Sequence, residues 1–93
     1  MLQRLGHRKM QEIESYLRAH AQENILVLSD LISANSADHR WADPPSFVGY
    51  RDREDVIAVQ AFYRYGRWFP HYTSDSAMDA MIEDMIPRRA RWI

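Results

Sequence analysis

Four histidines, no cysteine, eleven arginines, one lysine and three tryptophans are the chemically versatile residues of this 93-residue chain. His7, His20, His39 and His71 share no H-x₃-H spacing, and without thiolates the chain spells no zinc-type ligand set. It contains no G-x-x-x-x-G-K-[ST], G-x-G-x-x-G or G-x-S-x-G motif. Lys9 lacks the paired acids of a carboxylate–lysine nuclease. An acid–base role for His39 or His71 beside an aspartate is the remaining catalytic alternative, and lone histidines near carboxylates are more often structural. The sequence therefore predicts a non-enzymatic protein with no metal and no cofactor.

Binding chemistry is better represented, because Trp, Tyr and Arg dominate the energetics of protein interfaces. The loop from Asp38 to Asp43 gathers His39, Arg40 and Trp41 between two acids, and loops carry function more often than cores do. The end of the chain carries Arg88, Arg89, Arg91 and Trp92, suited to an acidic partner or to phosphates. The blander reading is cations complementing a helix dipole, with Trp92 packed on the domain. Asp75, Asp79 and Glu83 recur at four-residue steps and read as a solvated helix face.

These groups need elements to position them. Apolar residues make up 46% of the chain and charged ones 27%, enough for one hydrophobic core and too few residues for two. Between residues 7 and 42 there is no glycine or proline, and Met10, Ile13, Leu17, Ala21, Ile25, Leu28 and Leu31 recur with helical period. One helix over 3–34 would be ~48 Å long, whereas a domain of this size has a radius of gyration of ~12 Å. A break near Gln22-Glu23-Asn24, with Asn24 as N-cap, resolves the conflict; one long helix is the alternative.

Residues 36–46 read as loop. Period-two patterning then marks strands at Phe47–Arg51, Val56–Arg64 and Arg67–Thr73, joined by Asp52–Asp55 and by a two-residue Tyr65-Gly66 turn. That spacing pairs Val48 with Val59, Tyr50 with Ile57, Ala61 with Pro70 and Tyr63 with Trp68. Pro70 makes the last strand an edge. A final helix over 74–86, with Ser76 and Asp79 as a capping box and Pro87 as its stop, precedes a basic tail over 87–93. The expected fold is α+β: two N-terminal helices, a three-stranded antiparallel meander, and a C-terminal helix packed on one sheet face, all in a single domain over 1–93. Helices are expected on one face of the sheet.

In this register Phe47, Phe62, Arg64, Arg67, Phe69 and His71 share the opposite face. Such an apolar patch is covered by the chain's own helix, by a second copy, or by a partner. The net charge of −1 gives no basic footprint for nucleic acid. The first nine residues form no apolar signal segment, and no stretch approaches a membrane span, which points to a cytoplasmic protein. Together these features predict a small binding or inhibitory protein that occupies a surface of a larger protein or protein–nucleic-acid complex, of the immunity, phage anti-defence or regulatory-subunit kind. The alternatives are a nucleic-acid binder using the aromatic–arginine face and a small-ligand-binding homo-oligomer built around His39, Arg40, Asp43 and His71.

Overall fold

Leu2 to Leu5 form a strand, β1, and not the start of a helix. The computed structural model describes residues 2–35 and 44–90. In it β1 pairs antiparallel with β2 (Ser46–Asp52), setting Leu5 opposite Gly49. After a 3₁₀ turn at His7–Lys9 come α1 (Met10–Ala19) and α2 (Ala21–Asn35). Then β3 (Asp55–Phe62), β4 (Trp68–Tyr72) and α3 (Met78–Ala90) follow. The sheet therefore has four antiparallel strands in the order β1-β2-β3-β4, an α+β architecture. Among the described residues no helix is long and apolar enough to cross a membrane.

The helical segment breaks where chain length required it to. The His20 N–H reaches back to both Tyr16 O and Leu17 O, and His20 itself leaves helical geometry (φ −118°, ψ 36°). Asn24 is also non-helical (φ −131°, ψ 23°), and its buried side-chain amide donates to His20 O at 3.0 Å. Asn24 thus ties off the end of α1, where an N-cap accepting from the next turn was expected.

Helices cover both faces of the sheet, which corrects the expectation of one covered face. α1 and α2 bring Ile13, Tyr16, Leu17, Val27, Leu28 and Leu31 onto Leu5, Phe47, Val59 and Ala61. On the other face Ala77, Ala80 and Met81 meet Tyr50 and Ala58. α1 can lie this close because Gly49 has no side chain: a Cβ there would meet Ile13 Cγ1 at 3.0 Å and Leu5 Cβ at 3.4 Å. We expect Gly49→Ala to lower stability by about 1–3 kcal/mol through overpacking, read as a lower urea midpoint at unchanged m-value. An unchanged midpoint would show that Ile13 yields without cost.

The register of β3 also differs from expectation. Next to the β2–β3 turn the expected alignment holds, with Asp52 opposite Asp55 and Arg51 opposite Val56. An irregularity between Tyr50 and Arg51 then places Tyr50 opposite Ala58, Gly49 opposite Val59 and Val48 opposite Gln60. At the other side the turn has three residues, Arg64–Gly66, closed by Tyr63 N–H to Arg67 O at 2.8 Å, with Gly66 at φ 77°. Glycine is the residue for that left-handed position in a three-residue hairpin. Ala61 consequently faces Phe69, and Phe62 faces Trp68. A one-residue slip moves a strand's side chains to the other face. β3 is flipped relative to both neighbours, so Phe62 lies on the α3 face while Phe47 and Phe69 lie on the α1–α2 face.

The last helix starts and stops differently too. Ser74, not Ser76, is the cap, accepting from Ser76 N at 3.3 Å ahead of a 3₁₀ turn at Asp75–Ala77. Pro87 lies inside α3, which runs on to Ala90. Arg88 secures that last turn: its guanidinium donates to Asp84 O at 2.7 Å and lies 4.3 Å from the centre of the Phe62 ring.

Candidate functional site

Two polar networks meet at the edge strand β4. The first lies under α3. Gln60, fully buried, donates through Nε2 to Tyr50 Oη at 2.6 Å and to Met81 O at 3.0 Å, while its Oε1 accepts from Trp68 Nε1 at 2.8 Å. Tyr50 in turn donates to Asp84 Oδ2 at 2.6 Å, and Arg4 Nε reaches the same carboxylate at 2.9 Å. Burial, reinforced by the bond to Asp84, pushes the Tyr50 hydroxyl well above its ordinary pKa. The network draws α3 toward β1, β2 and β3. On β4 it leaves Pro70 and Tyr72 exposed, the latter at 43%, with Trp68 half-buried and fixed by its hydrogen bond.

The second network joins β4 to the helices. His71 sits with Nδ1 2.7 Å from the Tyr16 hydroxyl and with Nε2 on the Glu23 carboxylate. The His20 ring packs 4.6 Å from Tyr16 and 5.2 Å from His71, centre to centre. Hydrogen bonding to His71, more than the charges of His71 and His20, holds the Glu23 carboxyl below its ordinary range. Burial pushes the Tyr16 hydroxyl up to about 12. Both ring nitrogens of His71 are therefore engaged within the protein, and Tyr16 is a poor proton donor and nucleophile at neutral pH. The cluster is built to clamp α1, α2 and β4 together.

Beside it an open groove of about 510 Å³ runs between Gln11, Glu12, Ser15 and His20 of the helical side and Glu54 and Val56 of the β2–β3 hairpin. Glu12 already pairs with Arg51 at 2.7 Å and with Lys9 at 4.0 Å. Among the described residues no group of three His, Asp or Glu is placed to hold a metal ion. No family model, curated protein or solved structure matches this chain.

The structure scatters the residues expected on one surface. Phe47 and Phe62 are buried on opposite faces, because the β3 flip separates them and helices cover both. Phe69 is 45% exposed and packs edge-on against Tyr63 at 5.3 Å. Arg64 and Arg67 are exposed at the β3–β4 turn, and Arg89 belongs to the last turn of α3. His39, Arg40, Trp41, Arg91 and Trp92 lie outside the described residues. Sequence reasoning gave Trp68 and Tyr72 no binding role and passed over Tyr16, His20, Glu23 and Gln60. A glutamine inside an otherwise apolar strand was the available signal for the last, since a buried amide needs partners.

Proposed function

We propose that this chain is a non-enzymatic binding protein that occupies a surface of a larger protein or protein–nucleic-acid complex, in the manner of an inhibitor or regulatory subunit. The observation that supports this is the Trp68–Pro70–Tyr72 row of β4. It is uncovered on the α3 face, and Trp68 is pre-positioned through Gln60. Ile82 and Ile86 of α3 are exposed aliphatic side chains as well. Rigid, exposed aromatics bind with little loss of side-chain entropy and are the residue types of interface hot spots. The engagement of both nitrogens of His71 weighs against a reading as a small enzyme. Nucleic-acid binding through Phe62, Arg64, Arg67 and Phe69 is disfavoured because those two rings lie on opposite faces.

Affinity capture on immobilised protein, followed by titration of what is retained, tests the reading. One macromolecule held in fixed stoichiometry is expected, and Tyr72→Ala should weaken it about 30-fold, as a hot spot of about 2 kcal/mol requires. Capture of nothing, or equal capture by the variant, would refute it.

A further inference from the structure

We infer that the groove between α1 and the β2–β3 hairpin is a binding site for a small organic cation, an ammonium or guanidinium group carried on a short apolar stem. The site is separate from the Trp68–Tyr72 row, which lies on the α3 face of the sheet. Its volume of about 510 Å³ falls inside the roughly 300–1,000 Å³ of small-molecule sites.

Two neighbouring stripes of α1 build one wall. Gln11, Ser15 and Ala19 follow one another at four-residue steps, as do Glu12, Tyr16 and His20, and side chains so spaced stack on one helix face. The second stripe is the deeper: Tyr16 is buried, Glu12 and His20 are half-buried, and the His20 ring packs 4.6 Å from that of Tyr16. Gln11, Ser15 and Ala19 are exposed and form the rim. Across from them Val56 is half-buried, and Glu54, in the hairpin turn, is exposed. A floor of Tyr16 and Val56 is thereby bordered by polar groups on both sides. From Gln11 to Ala19 the wall runs for ~12 Å, long enough for a short stem ending in a charged group.

Hydrogen-bonding capacity is left unused in this groove. The networks under α3 and around His71 tie their polar side chains to one another. By contrast, among the described residues Gln11, Ser15, His20 and Glu54 make no side-chain hydrogen bond within the protein. Ser15 is the middle residue of the rim, one helical turn from Gln11, so their oxygens can serve one donor group together.

The charges lining the groove set the sign of its occupant. Glu12 and Glu54 are acids, and among the described residues no lysine or arginine lines the groove. Glu12 is already held by Arg51 and Lys9. Glu54 has no such partner among the described residues, so its charge is the one a ligand can meet. The C-terminal end of α1, at Ala19, adds the negative end of a helix dipole. An anion would meet like charge here, and a neutral molecule would leave Glu54 unpaired. An ammonium group brings three donors, matched by the Glu54 carboxylate, the Ser15 hydroxyl and the Gln11 carbonyl. Its apolar stem lies on Tyr16 and Val56, as the stems of long cationic side chains lie on apolar surface.

Nuclear magnetic resonance titration of the full chain with phenethylamine, an ammonium joined to a ring by a short stem, tests the assignment. Amide shifts at Ser15, His20 and Glu54 are expected, with a Kd of about 1 mM. Phenylethanol, the neutral counterpart, should bind about fivefold more weakly, and phenylacetate should not bind. Glu54→Gln should weaken the amine about fivefold, the upper range for an exposed ion pair. Ser15→Arg, at an exposed position, should weaken it about 10-fold or more by supplying a cation from within, while the circular dichroism spectrum stays intact. N-acetyl-lysine methylamide presents the same chemistry as a protein side chain. Tighter binding of it than of phenethylamine assigns the groove to a lysine of a bound protein, and weaker binding assigns it to a free amine. Absence of shifts up to about 20 mM overturns the proposal, as does equal binding of all three phenyl probes or indifference of the amine to both variants. Tyr72→Ala should bind phenethylamine unchanged, so the outcome here is read separately from capture of the larger partner.

Discussion

Gln60→Leu should lower stability by about 3 kcal/mol, the largest effect we expect from a single neutral substitution. Leucine fits the apolar run of β3 and would look innocuous in a strand. Gln60, however, joins β2, β4 and α3 at one point: it donates to Tyr50 Oη and Met81 O and accepts from Trp68 Nε1. Removing it leaves the Trp68 N–H without its acceptor and Tyr50 without a donor. A buried polar group left unpaired costs about 1–3 kcal/mol, and part of that is recovered by the added apolar contact. For a domain of this size about 3 kcal/mol corresponds to a fall in Tm of roughly 12–24 °C. Chemical denaturation and thermal melting would measure it. Faster hydrogen exchange at the Trp68 indole is expected together with the lower midpoint. A fully stable variant would mean that the network is dispensable and that α3 is held by Met81 and Ala80 alone.

The same residue shows why β3 was hard to align from sequence. Val56 to Phe62 is apolar at every position except Gln60, so either set of alternate residues makes an acceptable core face. That is what a strand covered on both sides looks like. Register then depends on the turns, and neither announces itself. The β2–β3 turn puts Arg53 in the left-handed region (φ 60°), where glycine or asparagine would have marked it. The β3–β4 turn holds three residues where Tyr-Gly suggested two. The slips are each of one residue and run in opposite directions, so each inverts the face of β3: the expected faces agreed with each other and were wrong together for this strand. The faces of β2 and β4 relative to one another were legible, as were the break in the helical segment and the edge position of β4. β1 was not: four residues continue a helical stripe as easily as they form a strand, and only the ladder with β2 distinguishes them. The low charge of α2 was visible in the sequence, since between Asn24 and Asn35 Asp30 alone is charged. What the sequence did not reveal was that Tyr63 takes up that carboxylate.

Alkaline pH should unfold the protein in a single transition beginning above about pH 10. Three of its five tyrosines have hydroxyls whose ionisation the fold resists. Burial is the main cause in each; hydrogen bonding to Asp84 adds to it for Tyr50 and to Asp30 for Tyr63. The sign follows from linkage: a group with a raised pKa in the folded state stabilises fully below its unfolded value and loses that contribution as pH rises through the folded one. The window therefore opens near 10.0 and for Tyr16 closes near 12. Within it the unfolded chain releases protons that the native chain keeps, so each unit of pH favours unfolding more steeply. Absorbance at 295 nm reports phenolate, and far-ultraviolet circular dichroism reports the fold. The phenolate signal of Tyr16, Tyr50 and Tyr63 is expected to rise only as the dichroism is lost. Tyr16→Phe should make the transition shallower by about one proton, because it removes one titrating group while keeping the ring against His20 and His71. If all five tyrosines ionise reversibly with the dichroism retained, these hydroxyls are not sealed by the packing of α1, α2 and α3 against the sheet. The clamp at His71 would then be looser than its geometry implies.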